Sequence, residues 1–187
     1  MSFRQTASQT VGPYFIIGLG AGVRTDLSEG AQGQRVVVHG RVFDGEGAPV
    51  GDALIETWQA CARGHYAHLD DPGASAAGAG FEGFARVPTD AEGGFRLITI
   101  KPGRVAGADG RPQAPHLLVN VLMRGLLKQA VTRLYFGDEA QANAEDEVLA
   151  RVPAERRATL ISRIQADGSH RWDIHMQGER ETAFFSF

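Results

Sequence analysis

One cysteine and two lysines stand in a chain of 187 residues. Cys61 has no partner for an internal disulfide, which suits a reducing compartment and points to the cytoplasm. Positive charge rests almost wholly on arginine, it is scattered, and the net charge is -3, so the basic stripe of a nucleic-acid binder is missing. No apolar run approaches the ~20 residues of a membrane span. The N-terminal "MSFRQTASQTVGPYF" has no apolar signal core, so neither membrane insertion nor secretion is expected. Also missing are G-x-S-x-G, a Walker loop, CxxC and HExxH, which removes the common hydrolase, nucleotide, thiol-redox and zincin chemistries. Internal repeats and coiled-coil heptads are absent as well.

What is present has globular proportions, 43% hydrophobic and 22% charged. A chain of this length can bury about 70% of its unfolded surface and needs no staples. One domain over 1–187 is expected, with residues 1–20 as an arm whose "YFIIGL" needs a surface to cover it. "RVVVHGRVF" (35–43) and "ALIETWQA" (53–60) read as strands rich in β-branched residues. "FARVPTDAEGGFRLITI" reads as a hairpin around an Asp90–Gly94 turn, and "HLLVNVLMRG" with "QAVTRLYF" as the next pair. Residues 140–152 and "PAERR" carry short helices, with Pro153 suited to a first helical position. "ATLISRIQ" (158–165) and "RWDIHMQG" (171–178) read as a closing hairpin, the second with Trp172, Ile174 and Met176 facing inward. Many short strands between turn signals predict an all-β sandwich with short helices and long loops.

Candidates for chemistry are scattered. "HLD" (68–70) has the H-x-D spacing of a facial iron triad, with His116 as a distal third ligand. Glu56 shares a strand face with Trp58, either paired or free for catalysis. His39 reads as a hydrogen-bonded strand histidine, His170 as a turn residue and His175 as a wet-face residue.

More specific is an ordered series. "WQACARGHY" (58–66) fits W-Q-x-x-x-x-G-x-Y, "KPGRV" (101–105) follows the hairpin, and "RPQAPHLLVNVLMRG" (111–125) opens the next strand before "TRLYF". This order resembles the intradiol ring-cleavage dioxygenases, over nearly the whole chain. That family holds ferric iron with two tyrosines and two histidines, because phenolates are hard anionic donors and one can exchange away when a catecholate chelates. The resemblance places the first tyrosine on Tyr66 and the first histidine on His116. The second tyrosine falls on Val105 and the second histidine on Leu118, neither of which offers a lone pair.

The resemblance therefore implies a non-iron-binding α chain within a heteromer. Iron(III) would be held by a β chain of the same fold, with none in this chain. The heteromer would cleave 3,4-dihydroxybenzoate (protocatechuate) with dioxygen. By the same resemblance Thr10, Gly12, Pro13 and Tyr14 line the partner's pocket, and Arg133 supplies a cation near the substrate carboxylate. Two other readings stay open: a self-sufficient iron oxygenase with an altered site, and a metal-free binding module of transthyretin-like type.

Overall fold

The run 35–43 alternates buried and outward side chains and forms the longest strand, β1 (Arg35–Phe43). The computed structural model describes residues 6–10, 14–78, 80–107 and 110–186. Eight further strands follow among them: β2 (Leu54–Trp58), β3 (Phe84–Pro88), β4 (Gly94–Ile100), β5 (His116–Leu122), β6 (Ala130–Tyr135), β7 (Arg163–Ile164), β8 (His170–Arg171) and β9 (Ile174–His175). One sheet has the order β4-β1-β8-β7 with β9 also on β1, and the other the order β3-β2-β5-β6. Val36, Val38, Phe95 and Leu97 from the first sheet meet Ile55, Val87, Leu117, Val119 and Leu134 from the second in one apolar cluster. This is the expected all-β sandwich. Each fully buried aliphatic side chain there contributes about 1.5–3 kcal/mol of transfer free energy.

Period-2 alternation leaves the opposite face of β2, β5 and β6 turned away from that core. Its upper end is covered by α2 (Ala140–Glu145) and α3 (Glu147–Arg151), under which Ala114, Tyr135, Leu149 and Leu160 form a second, smaller cluster. Asp146 caps α3 by accepting the Leu149 amide at 2.8 Å, the local reason that the chain restarts a helix there.

Two expectations are corrected. Residues 158–160 are not strand, because the chain leaves Pro153 in a 3-10 turn that runs from Ala154 to Leu160. The closing hairpin is correspondingly short: β7 pairs β8 over two residues, and the segment after the turn runs parallel to β1 instead. Gly40 permits this, since a Cβ there would stand 1.7 Å from the Trp172 carbonyl oxygen. Trp172 and Ile174 do face inward as expected.

Part of the arm, Tyr14–Leu19, forms a short helix, α1, on which Ile17 is 77% exposed. Gly12 and Pro13 lie outside the described residues, and of Tyr14 only the backbone is described. No described helix is long and apolar enough to cross a membrane.

Candidate functional site

The outward face of the second sheet collects the singled-out residues. Strand register sets Trp58, Leu118 and Arg133 in one cross-strand row, with His116 opposite Tyr135 in the next. Tyr66 lies on the turn after β2, with its ring parallel to Trp58 and the centroids 6.1 Å apart. Tyr66 and Val105 line the same open cleft of about 790 Å³.

Two devices bring those loops together. Gly64, at φ +79°, lies so near the 104 carbonyl that a Cβ would approach its oxygen to 2.0 Å. The Gly103 amide donates to the Cys61 carbonyl at 2.9 Å, and the Cys61 amide to the His65 carbonyl at 2.8 Å. Asp71 then fixes Tyr66 itself. Its Oδ2 accepts the Tyr66 amide at 2.7 Å, and its Oδ1 meets His65 Nδ1 at 3.0 Å. These bonds, the Tyr66 amide first, hold the Asp71 carboxyl below the usual carboxylate range.

His116 is buried, and its Nδ1 donates to the Ala114 carbonyl at 2.8 Å. Burial, followed by the charge of Arg133, lowers its pKa to about 4, so the ring is neutral at pH 7. Arg133 Nη1 donates to Gln113 Oε1 at 2.7 Å and to the Tyr135 hydroxyl at 3.4 Å. Gln113 in turn donates its backbone N–H to the Val105 carbonyl at 2.8 Å, tying the cation to the loop. Tyr135 donates to Asp146 Oδ1 at 3.1 Å, and Asp146 Oδ2 takes the Ala114 amide at 2.7 Å. Burial raises the pKa of both phenols, Tyr66 and Tyr135.

Of the four positions that the resemblance assigns to iron ligands, Tyr66 and His116 present a phenol and an imidazole, while Val105 and Leu118 present only carbon. Where a ferric ion needs anionic donors, the row holds a cationic residue, Arg133, across from Leu118. These residues do not fit iron(III). No group of three His, Cys, Asp or Glu among the described residues is placed to hold a metal ion. The H-x-D pair falls at an exposed loop, where His68 and Asp70 contact each other, while His116 is buried in the sheet face.

Glu56 is paired, accepting Arg86 Nε at 2.9 Å and Nη2 at 2.6 Å across the strands. His39 bonds Ser169 Oγ at 3.1 Å, as a strand histidine should. His170 departs from the turn reading: it is buried and bonds Ser162 Oγ at 3.0 Å. His175 is partly covered by a ring stack on Phe43. Thr10 Oγ1 accepts the Gly125 amide at 3.1 Å, which ties the arm at Thr10 to the loop after β5.

Sequence reading passed over Asp146, Gln113 and Asp71. Asp146 had a signal, an aspartate immediately before "EVLAR", and Asp71 another in "DDPG". Gln113 had none, since its role arises only when two loops meet.

The sequence model of a dioxygenase family matches residues 11–178. The chain is 47% identical to the protocatechuate 3,4-dioxygenase alpha chain of Burkholderia cepacia, over 98% of both chains. It is 35% identical to the beta chain of the same organism's enzyme, over 80% of this chain and 67% of that one. Among solved structures, hydroxyquinol 1,2-dioxygenase from Pseudomonas putida DLL-E4 superposes with a TM-score of 0.63 at 21% identity, covering 96% of this chain and 68% of that one, a likeness of fold.

Proposed function

The chain belongs to this dioxygenase family, and from its place there we propose that it is the non-iron-binding α subunit of a protocatechuate 3,4-dioxygenase. The assembled enzyme would join dioxygen to 3,4-dihydroxybenzoate and open the ring between its hydroxyls, giving 3-carboxy-cis,cis-muconate. Both oxygen atoms enter the product, so no external reductant is consumed. The observation that carries the reading is the pair of aliphatic side chains, Val105 in the Tyr66 cleft and Leu118 across the strands from Arg133. Iron(III) is then the β chain's, and this chain contributes scaffold and pocket wall.

Thr10, Gly12, Pro13 and Tyr14 are the proposed wall. A Gly-Pro pair gives a stiff backbone that can approach a flat aromatic closely. Arg133 is the proposed cation for the substrate carboxylate. Among the described residues its hydrogen bonds all run through Nη1, which leaves Nη2 and Nε to donate elsewhere. A buried, unpaired Cys61 supports a cytoplasmic location.

The test is co-expression with the cognate β chain. We expect a stable heteromer with iron and visible tyrosinate-to-iron colour, and a colourless, iron-free chain when this subunit is purified alone. A coloured lone chain with about one iron each, or two chains that elute separately, would overturn the reading.

A further inference from the structure

The outward face of the first sheet has a charge pattern that the site does not use. Strand register places Arg96, His39, Arg171 and Arg163 in a single row across β4, β1, β8 and β7. At about 4.8 Å between strands the row extends roughly 14 Å. Like charges directly opposite one another in a sheet are destabilising. Arg35 and Arg41 lie on the same face of β1, so five arginines face four aspartates: Asp26, Asp167, Asp173 and, at the rim of the cleft, Asp90.

Those carboxylates are already committed. Asp173 is shared by Arg171 at 3.2 Å and Arg163 at 3.7 Å, and also takes the Arg41 amide at 3.1 Å. Asp167 accepts the Ser169 hydroxyl at 2.6 Å, and Asp26 the Ser28 hydroxyl at 2.6 Å. Asp26 feels Arg35 and Arg96 only through space, and no ion pair within 4.0 Å joins Arg35, Arg41 or Arg96 to a described carboxylate. An open cleft of about 870 Å³ lies here, bounded by Arg35, Arg96, His39 and the turn at 167–169.

We infer that this face is a docking surface for an acidic segment of the partner β chain, laid across the four strands so that its carboxylates meet the row. Charge complementarity carries the choice of occupant. The arginines of the face outnumber its carboxylates, Arg35, Arg41 and Arg96 have no ion pair among the described residues, and a sheet face with arginines at strand spacing matches side-chain carboxylates on a facing segment. The inference rests on the heteromer reading, but it concerns a face of the molecule other than the one that carries the degenerate site.

The experiment uses the reconstituted heteromer with Arg96→Gln, Arg163→Gln and Arg171→Gln together. Asp173 loses both guanidinium partners in the variant, so the chain alone should melt somewhat lower than wild type, and affinity is measured well below that midpoint. Its affinity for the β chain should fall about tenfold or more, and the decline of affinity between about 0.05 and 0.5 M NaCl should become shallower. In wild type, amides 163–171 should gain hydrogen-exchange protection on assembly. If the triple variant does not fold, Arg96→Gln alone, at an exposed position, should still flatten the salt dependence. Unchanged affinity and salt slope would overturn the inference while leaving the heteromer standing. Failure of the wild-type chain to assemble would overturn the functional reading and this surface with it. Loss of self-association, or of retention on polyphosphate, in a variant that still assembles normally would assign the row to another occupant and overturn it too.

Discussion

Arg133 and His116 share one small piece of sheet, and each carries a measurable consequence. In the heteromer, Arg133→Ala removes the proposed donor to the substrate carboxylate, and a charge-assisted bond of that kind is worth about 1.5–3 kcal/mol. The expected result is a roughly tenfold to hundredfold lower kcat/KM for protocatechuate, with iron and colour unchanged. Catechol, which has no carboxylate, should lose much less. Equal losses for both would mean that the side chain acts through Gln113 and Tyr135 instead. His116 bears on stability. Its folded pKa of about 4 lies below the ordinary 6.5, so the unfolded chain takes up a proton first as pH falls. The stability linked to this group is therefore complete above about pH 6.5 and is lost on the way down to pH 4, on the order of 3 kcal/mol. His116→Gln should flatten that part of a denaturation-against-pH curve. A residual slope of the same sign remains, because burial lowers the pKa of His170 and His175 as well.

At the scale of elements, the turn that bears Tyr66 depends on Gly64. A methyl group there meets both a left-handed backbone and the 104 carbonyl. Gly64→Ala should cost about 2–4 kcal/mol in chemical denaturation, against a few tenths for an alanine at an exposed turn. The strands themselves were legible in the sequence, because "RVVVHGRVF", "LIETW" and "HLLVNVL" alternate with the pleat and end at glycine or proline turns. Tyr66, Val105, His116 and Leu118 could be named from the sequence because each sits at a fixed offset from a motif residue, and the fold brings Tyr66 and Val105 to one cleft and His116 and Leu118 to one strand face. The residues that now occupy their surroundings could not be so named. Asp146 reaches the site from a helix cap, and Gln113 from a loop, through contacts that only the folded chain creates. The closing hairpin was misjudged for a related reason: the alternation of Trp172 and Ile174 is genuine, but alternation says nothing about which neighbour a strand will choose.

At the scale of the molecule, the exposed Ile17 on α1 argues for a covering partner. Obligate interfaces typically remove about 2,000–5,000 Å² from water. Deleting residues 1–20 should weaken assembly with the β chain and raise KM, while the sandwich core keeps its stability to within about 1 kcal/mol, because its first described buried member is Leu27. A shortened chain that no longer folds would show the arm to be structural.

The two tryptophans divide the molecule's light between its two sheets. Trp58 lies half-buried beside the cleft, parallel to Tyr66, whereas Trp172 is sealed in the core with its indole N–H on the Thr159 carbonyl at 2.8 Å. Emission from the native chain is thus a sum of a redder, quenchable lamp and a bluer, protected one. With Trp58→Phe the remaining signal should report only the opening of the core. With Trp172→Phe it should brighten, dim or shift when a ligand or a second chain closes over the cleft. One fluorimeter can therefore time docking and unfolding separately, without any label being attached.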